Sequence, residues 1–297
     1  MKITVTGSLG NISRVLIEQL VANGHEVRVI SSSPGKATEI EKLQATPLIG
    51  SVENSDFVSK SFQGSDAAYL MIPPNFSAPD YKAFTINVGK NYAKAVKQAS
   101  IAYVVNLSSS GSPLAGAQPL THYQNLEVWL DELQSINVMH LRPGGFYSNF
   151  YGSLGMIKHM GIIGNNFGDT INMVMSHPAD IADAAADALN TLSFKGKNVK
   201  YIVSDRKNGQ EITQILGAAI DKLDLKWVQF SDEQLLGALI QNGFSKDAAQ
   251  HYIVDMGIAI REGIMDEHYR QNTHEVVGKR SFAEFAKEFA KTYRYSK

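Results

Sequence analysis

The chain has 297 residues, 28 Lys plus Arg against 29 Asp plus Glu, a formal net charge of -1, and 44% hydrophobic residues. That balance suits a globular protein with a full core, in one large domain or two coupled lobes, and argues against broad electrostatic binding to nucleic acid or membrane. The absence of cysteine excludes a disulfide framework, a thiolate nucleophile and a Cys-ligated metal.

Lys2–Thr6 reads as a first strand, with no signal-peptide pattern before it. No run approaches the roughly 18 apolar residues of a membrane span. A cytoplasmic, reducing setting is therefore expected. Asn11–Ala22 follows as a helix, with Ile12, Val15, Leu16, Leu20 and Val21 on one face and Asn23-Gly24 as its stop. Glu26–Ser31, Gln44–Ile49 and Ala67–Ile72 read as the next three strands, the last ended by Pro73-Pro74. Then come a long helix over Tyr81–Ser100, a strand over Tyr103–Leu107, a helix over Leu120–Leu133 and a strand over Asn137–Arg142. Short apolar strands alternating with helices predict βαβ units and a mostly parallel sheet covered on both faces.

Beyond Pro143 the pattern loosens, with few helix signals between Gly144 and Gly168. Pro178–Asn190 is an Ala-rich helix, and Lys200–Val203 suits a seventh strand. The remainder is mainly helical (Gln210–Lys222, Asp232–Asn242, Ser245–Arg261 and Ser281–Tyr293), with one strand at Leu225–Phe230. Phe282, Phe285, Phe289 and Tyr293 form an aromatic stripe that reads as core packing. The expected division is a nucleotide-binding body over residues 1–150, rejoined by 178–204, and a smaller substrate or partner lobe from 151–177 and 205–297. The lobe is expected to close over the C-terminal edge of the strands.

The strongest local signal lies between the first strand and the first helix, in Gly7-Ser8-Leu9-Gly10-Asn11-Ile12-Ser13. Gly7 permits a tight turn, Gly10 lets the backbone approach a pyrophosphate, and free N–H groups at the helix start face the phosphates. The third glycine of the usual dinucleotide pattern is replaced by Ser13. Where strand two ends, an acidic residue would favour NAD by bonding the ribose 2′-hydroxyl. Here stand Ser31, Ser32, Ser33 and Lys36, which donate to a 2′-phosphate, with no carboxylate until Glu39. NADP(H) is therefore the preferred cofactor, with NAD(H) admissible.

These stretches, in this order, resemble the NmrA-like proteins of the atypical short-chain dehydrogenase/reductase superfamily. Thr6-Gly7-Ser8-Leu9-Gly10 is similar to the family's glycine turn, and Gly64–Leu70 with Pro73-Pro74 to its fourth strand. Asn87–Ala99 is similar to the helix after it. Leu107–Ser110, His122 with Glu127, Leu141–Phe146 with Asn149, and His177–Ala182 are similar to further family stretches. The likeness covers residues 1–203. It implies a Rossmann-like α/β fold with a mostly parallel sheet, helices on both faces, and a smaller helical C-terminal lobe. It also implies either an NADPH-dependent reductase, quinone reductases among them, or an NADP-binding regulator without turnover. In such proteins Gly145 and Phe146 lie by the nicotinamide, and Met71 and Pro73 shape the loop beneath the cofactor.

Dehydrogenases of this superfamily carry a Lys four residues after the catalytic Tyr, which lowers the Tyr pKa. Here Tyr123 is followed by Glu127, whose carboxylate is expected to raise it. Quinone reduction asks less, because hydride passes to an electron-poor acceptor and solvent can protonate the product. His122, Tyr123 and Ser109 are the expected catalytic residues, facing a small-molecule acceptor such as a quinone. Tyr69, Phe76, Tyr123, Phe146 and Tyr147 are candidate aromatic walls or plain core. Arg142 is expected to make a structural salt bridge with Glu127. His177 and Asp180 lack further ligands at metal spacing, so no metal is expected. The alternative is a non-catalytic NADP(H)-binding redox sensor with a protein partner.

Overall fold

The computed structural model describes residues 1–111 and 123–296. In chain order the first half contains β1 (Lys2–Val5), α1 (Ser13–Ala22), β2 (Glu26–Ser31), α2 (Ala37–Lys42), β3 (Thr46–Ile49), α3 (Ser55–Phe62), β4 (Ala67–Leu70), α4 (Tyr81–Ala99), β5 (Tyr103–Leu107), α5 (Tyr123–Asp131) and β6 (Asn137–Pro143). The second half contains β7 (Gly145–Phe146), α6 (Leu154–Met160), β8 (Ile162–Asn165), β9 (Met173–Ser176), α7 (Pro178–Thr191), β10 (Lys197–Ile202), β11 (Asp205–Lys207), α8 (Gly209–Ala219), β12 (Lys226–Gln229), α9 (Asp232–Gln241), α10 (Lys246–Ala248), α11 (Asp255–Arg261), α12 (Glu267–Asn272) and α13 (Phe282–Tyr295).

Seven strands form one parallel sheet in the order β10-β6-β5-β4-β1-β2-β3. The chain moves outward from β1 to β3 and then returns to β4 on the other side of β1. That reversal opens a crevice at the C-terminal ends of β1 and β4, where sheets of this kind bind ligands. Residues alternate between the two faces. Ala67, Tyr69 and Val105 pack with α1 and α7, while Ala68, Leu70 and Val104 pack with α3, α4 and α5. This is the Rossmann-type architecture expected from the alternating strand and helix patterns. The helix starts follow from their caps: Asn54 accepts from two N–H groups of α3, and Asp80 from Ala83 N of α4.

The structure departs from the sequence reading in several places. It adds the helices α2, α3, α6 and α12, each of six to eight residues; in α3 only Val58, Ser61 and Phe62 are buried, so its periodicity is faint. The loose stretch after Pro143 supplies strands to two small sheets, β11-β9-β7 and β12-β8. The single helix expected over 245–261 is divided into α10, a π-helical turn over Ala249–Val254, and α11.

The C-terminal lobe contains α9 to α13. Phe282, Phe285 and Phe289 of α13 are buried against Tyr147, Phe150, Tyr151 and α8, so the aromatic stripe is core. Each such ring contributes about 1.5–3 kcal/mol of burial. Arg280, just before α13, pairs with Asp180 at 2.5 Å and Asp183 at 2.8 Å, tying the tail to α7.

Candidate functional site

Every loop expected to hold cofactor or acceptor leaves the same, C-terminal edge of the parallel sheet. Four of them follow β1, β2, β4 and β5, and a fifth follows β6.

Gly7, two residues beyond the end of β1, has φ +89°, and a Cβ there would fall 2.6 Å from Ser13 Oγ and 2.9 Å from Met71 Cε. Only glycine suits that position. Ser13 Oγ donates to Thr6 O at 3.0 Å, so the residue replacing the third glycine closes the turn with a satisfied hydroxyl. Ser8 also has positive φ, at 53°. Its N–H donates to Ile30 O at 3.2 Å and its hydroxyl to Ser31 Oγ at 2.9 Å, which binds the turn to the end of β2. Among the described residues, the N–H groups of Leu9, Asn11 and Ile12 find no acceptor. Gly10 and Asn11 are exposed. Three free donors at a helix start are what a pyrophosphate needs, so the residues present fit a dinucleotide.

Thr6 bridges the crevice itself: its hydroxyl accepts from Met71 N at 2.6 Å. Tyr92 donates to Met71 O at 3.1 Å. Met71 is thus fixed across Gly7, and Pro73 follows it, half-buried. At the end of β2, Ser31 is buried; its oxygen accepts from Ser8 Oγ and, at 3.2 Å, from Ser33 N, and its hydroxyl donates to Ser33 O at 3.5 Å. Ser31 therefore serves mainly to shape the loop, while Ser32 and Ser33 are exposed and Lys36 is half-buried.

After β5, Ser109 Oγ accepts from Gly111 N at 3.3 Å. Ser110 Oγ is buried without a partner. A Cβ on Gly111 would fall 2.6 Å from Met265 Sδ, so the lobe presses on this loop. After β6, Gly144 N donates to Ser176 Oγ at 2.9 Å, and a Cβ there would fall 2.3 Å from Val174 O. The first glycine of the Gly144-Gly145 pair is therefore structural. Gly145 is exposed and Phe146 half-buried, paired through β7 with β9.

Tyr123 opens α5 beside Tyr81. Burial pushes its phenol well above the ordinary range, and the neighbouring Tyr81 pushes it further. The expected cause, Glu127, is corrected by the geometry: its carboxylate is taken up by Arg142, Nε to Oε1 at 3.0 Å and Nη2 to Oε2 at 2.6 Å. The anticipated ion pair is present, buried and bidentate. Arg142 continues to Tyr201 Oη at 3.3 Å, which donates to His268 Nδ1 at 2.5 Å. His122 lies outside the described residues.

Of the candidate aromatic walls, Tyr69 and Tyr147 are fully buried core. Phe76 is 37% exposed and stacks on Phe244 at 4.6 Å and near Tyr252 at 5.3 Å. Tyr252 meets Tyr81 edge-on at 5.6 Å. The hydroxyl of Tyr81 is buried and makes no hydrogen bond of ordinary geometry. Tyr81, Phe244 and Tyr252 were missed in the sequence, because only the fold brings them together. His177 caps α7 by accepting from Ala179 N, and no metal-holding cluster occurs among the described residues.

The model of one protein family, described as NAD(P)H-binding, matches residues 7–191. The chain belongs to this NAD(P)H-binding family. Membership agrees with the likeness to NmrA-like proteins and accounts for the glycine turn. A ketoreductase of Stigmatella aurantiaca, acting on 4-hydroxy-2-methyl-3-oxo-4-farnesyl-3,4-dihydroquinoline-1-oxide, is 29% identical over 124 residues. That match covers 40% of this chain and 36% of the relative, so the chain matches little more than a third of that protein's length. Three solved structures share the fold at 18% identity. Citrobacter sp. triphenylmethane reductase complexed with NADP(H) has a TM-score of 0.78, over 98% of this chain and 100% of its own. Escherichia coli NADPH-dependent quinone oxidoreductase complexed with NADPH has 0.75, over 97% and 99%. A Staphylococcus aureus nucleoside-diphosphate-sugar epimerase has 0.76, over 97% and 100%.

Proposed function

We propose that the chain is an NADPH-dependent oxidoreductase that reduces quinones or similar electron-poor small molecules. The observation that carries this reading is the pairing of a dinucleotide turn with a blocked Tyr-Lys position. The turn offers the free N–H groups of Leu9, Asn11 and Ile12. At the position where a carbonyl-reducing enzyme of this superfamily has its Lys, Glu127 is locked to Arg142. Among structures of this fold are an NADPH-dependent quinone oxidoreductase and a triphenylmethane reductase.

In this reading NADPH supplies the hydride. Gly7, Leu9, Gly10, Asn11 and Ile12 hold its pyrophosphate, and Ser32, Ser33 and Lys36 hold the 2′-phosphate on a loop shaped by Ser31. Met71 and Pro73 support the cofactor from below; Gly145 and Phe146 flank the nicotinamide. Ser109 orients the acceptor. Tyr123 keeps its proton at every physiological pH, so it serves as a hydrogen-bond donor to the reduced oxygen rather than as a base. Phe76, Tyr81 and Tyr252 offer aromatic faces to a planar acceptor. Acceptor and NADPH together take one proton from water and give hydroquinone and NADP⁺.

The incomplete Tyr-Lys set also fits a second reading, an NADP(H)-binding redox sensor with a protein partner. Calorimetric titration with NADPH, NADP⁺, NADH and NAD⁺, followed by turnover of a quinone panel with NADPH, separates the two. Quinone turnover supports the reductase. Tight binding without turnover overturns it, and the sensor then requires that NADPH and NADP⁺ bind unequally. No binding to any of the four overturns both.

A further inference from the structure

Arg14 directly follows Ser13 in the first turn of α1. Its Nη1 lies 2.5 Å from Glu39 Oε1, and its Nε 3.5 Å from Glu18. Glu39 lies in the first turn of α2, three residues beyond Lys36. The Arg14 and Glu39 side chains are 43% and 47% exposed, so both are open to an arriving ligand. Ser8 and Ser31 fasten the glycine turn to the same loop. A cation and an anion therefore meet where the turn and the end of β2 converge. Glu39, the first carboxylate after that strand, is turned toward the site rather than beyond it.

We infer that Arg14 and Glu39 form a selector for the 2′ substituent of the bound dinucleotide, in which Arg14 is released to a 2′-phosphate, while Glu39, still paired with Arg14, accepts from a 2′-hydroxyl. The inference rests on the dinucleotide reading above and is independent of the acceptor. A phosphate monoester carries close to two negative charges near neutral pH and offers three acceptor oxygens. The planar guanidinium fork matches a phosphate as well as a carboxylate, and the larger charge wins. Lys36 adds a second cation at the same loop. Once Arg14 turns to the phosphate, Glu39 is left facing a dianion, which repels it. A dinucleotide with a 2′-hydroxyl brings no competing charge, and a carboxylate accepts from that hydroxyl while Arg14 stays paired. Glu39 thus lowers NADPH affinity and supports NADH affinity, whereas Arg14 does the reverse for NADPH. The Arg14 guanidinium holds the Glu39 carboxyl below its ordinary range, so Glu39 is ionised throughout the neutral region.

The test is calorimetric titration of the wild type, Arg14→Gln and Glu39→Gln with NADPH, NADH, 2′,5′-ADP and 5′-AMP, at low and high potassium chloride. Thermal melts check that each variant is folded. Arg14→Gln should weaken NADPH and 2′,5′-ADP about tenfold or more and leave NADH and 5′-AMP nearly unchanged. Glu39→Gln should tighten NADPH and 2′,5′-ADP severalfold and weaken NADH. The wild-type preference for 2′,5′-ADP over 5′-AMP should shrink with salt. A folded Arg14→Gln variant with an unchanged NADPH-to-NADH ratio overturns the selector, as does equal weakening of both by Glu39→Gln. The ion pair would then only tie α1 to α2. If the wild type binds no dinucleotide, the dinucleotide reading fails with it. Absence of quinone turnover with these ratios intact counts only against the proposed acceptor.

Discussion

Glu127→Lys restores, on paper, the Lys four residues after Tyr123 that carbonyl-reducing relatives of this superfamily carry. It should strongly destabilise the protein rather than activate it. Glu127 and Arg142 are 7% and 9% exposed, and the substitution removes both carboxylate bonds to the guanidinium, at 3.0 and 2.6 Å. Breaking a buried pair by removing one partner costs about 3–5 kcal/mol. A second buried cation beside Arg142 adds repulsion to that loss. Against total stabilities of about 5–15 kcal/mol this loss is a large fraction, and at the low end of that range it leaves no margin. Glu127→Gln keeps the shape and one acceptor and should cost about 1.5–3 kcal/mol. The double variant Glu127→Leu/Arg142→Met removes both charges together and should lie within a few kcal/mol of the wild type, on either side. Urea unfolding followed by circular dichroism gives all three values. A folded Glu127→Lys protein with a wild-type midpoint would refute the reasoning, and so would a double variant as unstable as Glu127→Lys.

Two further outcomes follow from contacts in the lobe. In Gly257→Ala the new Cβ falls 1.7 Å from Asn166 Oδ1, and Asn166 is held by Asp232 at 2.7 Å and Val254 O at 3.0 Å. Overpacking of about 1–3 kcal/mol or more should lower the urea midpoint and expose α11 to limited proteolysis, and an unchanged digest would count against it. His268 is held below its ordinary pKa, by burial first and by Arg142 second. Its Nδ1 accepts from Tyr201 Oη and Asn272 Nδ2, so protonation there removes both bonds. The unfolded chain takes up this proton first, below about pH 6.5, so stability is present above that value and is lost as pH falls through the lower folded value. His268→Gln should flatten that part of the midpoint-against-pH curve, and an unaltered slope would refute the assignment.

The central strands β1, β4, β5 and β6 of the main sheet were legible because they are buried on both faces and read as mainly apolar runs. Tyr103–Leu107 agrees to the residue. α3 was not, because SDFVSKSF turns only three side chains inward, although Asn54 marks its start. The small sheets pair strands of two to four residues across long separations, such as Ile162–Asn165 with Lys226–Gln229, and no local pattern encodes that partner. At the site, the glycine turn and the Arg142–Glu127 pair were readable from spacing and from the placement of opposite charges on neighbouring elements. The environment of Tyr123 was not: its neighbour Tyr81 stands 42 positions away in the chain, and no spacing rule connects them. The surroundings of Ser31 were hidden for a related reason: only the fold shows that its oxygen accepts from Ser8 and Ser33 while its own hydroxyl faces Ser33 O.

The lobe holds two of the loops at the C-terminal edge of the sheet directly. Ser245 N donates to Phe76 O at 2.8 Å, Ser245 Oγ donates to Ala78 O at 2.6 Å, and Asp247 Oδ2 accepts from Tyr81 N at 2.6 Å. The loop after β4 thus finds its main-chain partners in a segment about 170 residues downstream, and buried main-chain groups require partners. Met265 rests on Gly111 after β5. The two loops that flank the crevice are therefore shaped from the lobe side, while the glycine turn and the end of β2 are shaped from within the sheet. In the proposed reading, the dinucleotide end of the candidate site is therefore built from contacts internal to the body, and the acceptor end from contacts between body and lobe. On that reading, changes in α9 to α13 alter which acceptor fits without disturbing the dinucleotide turn.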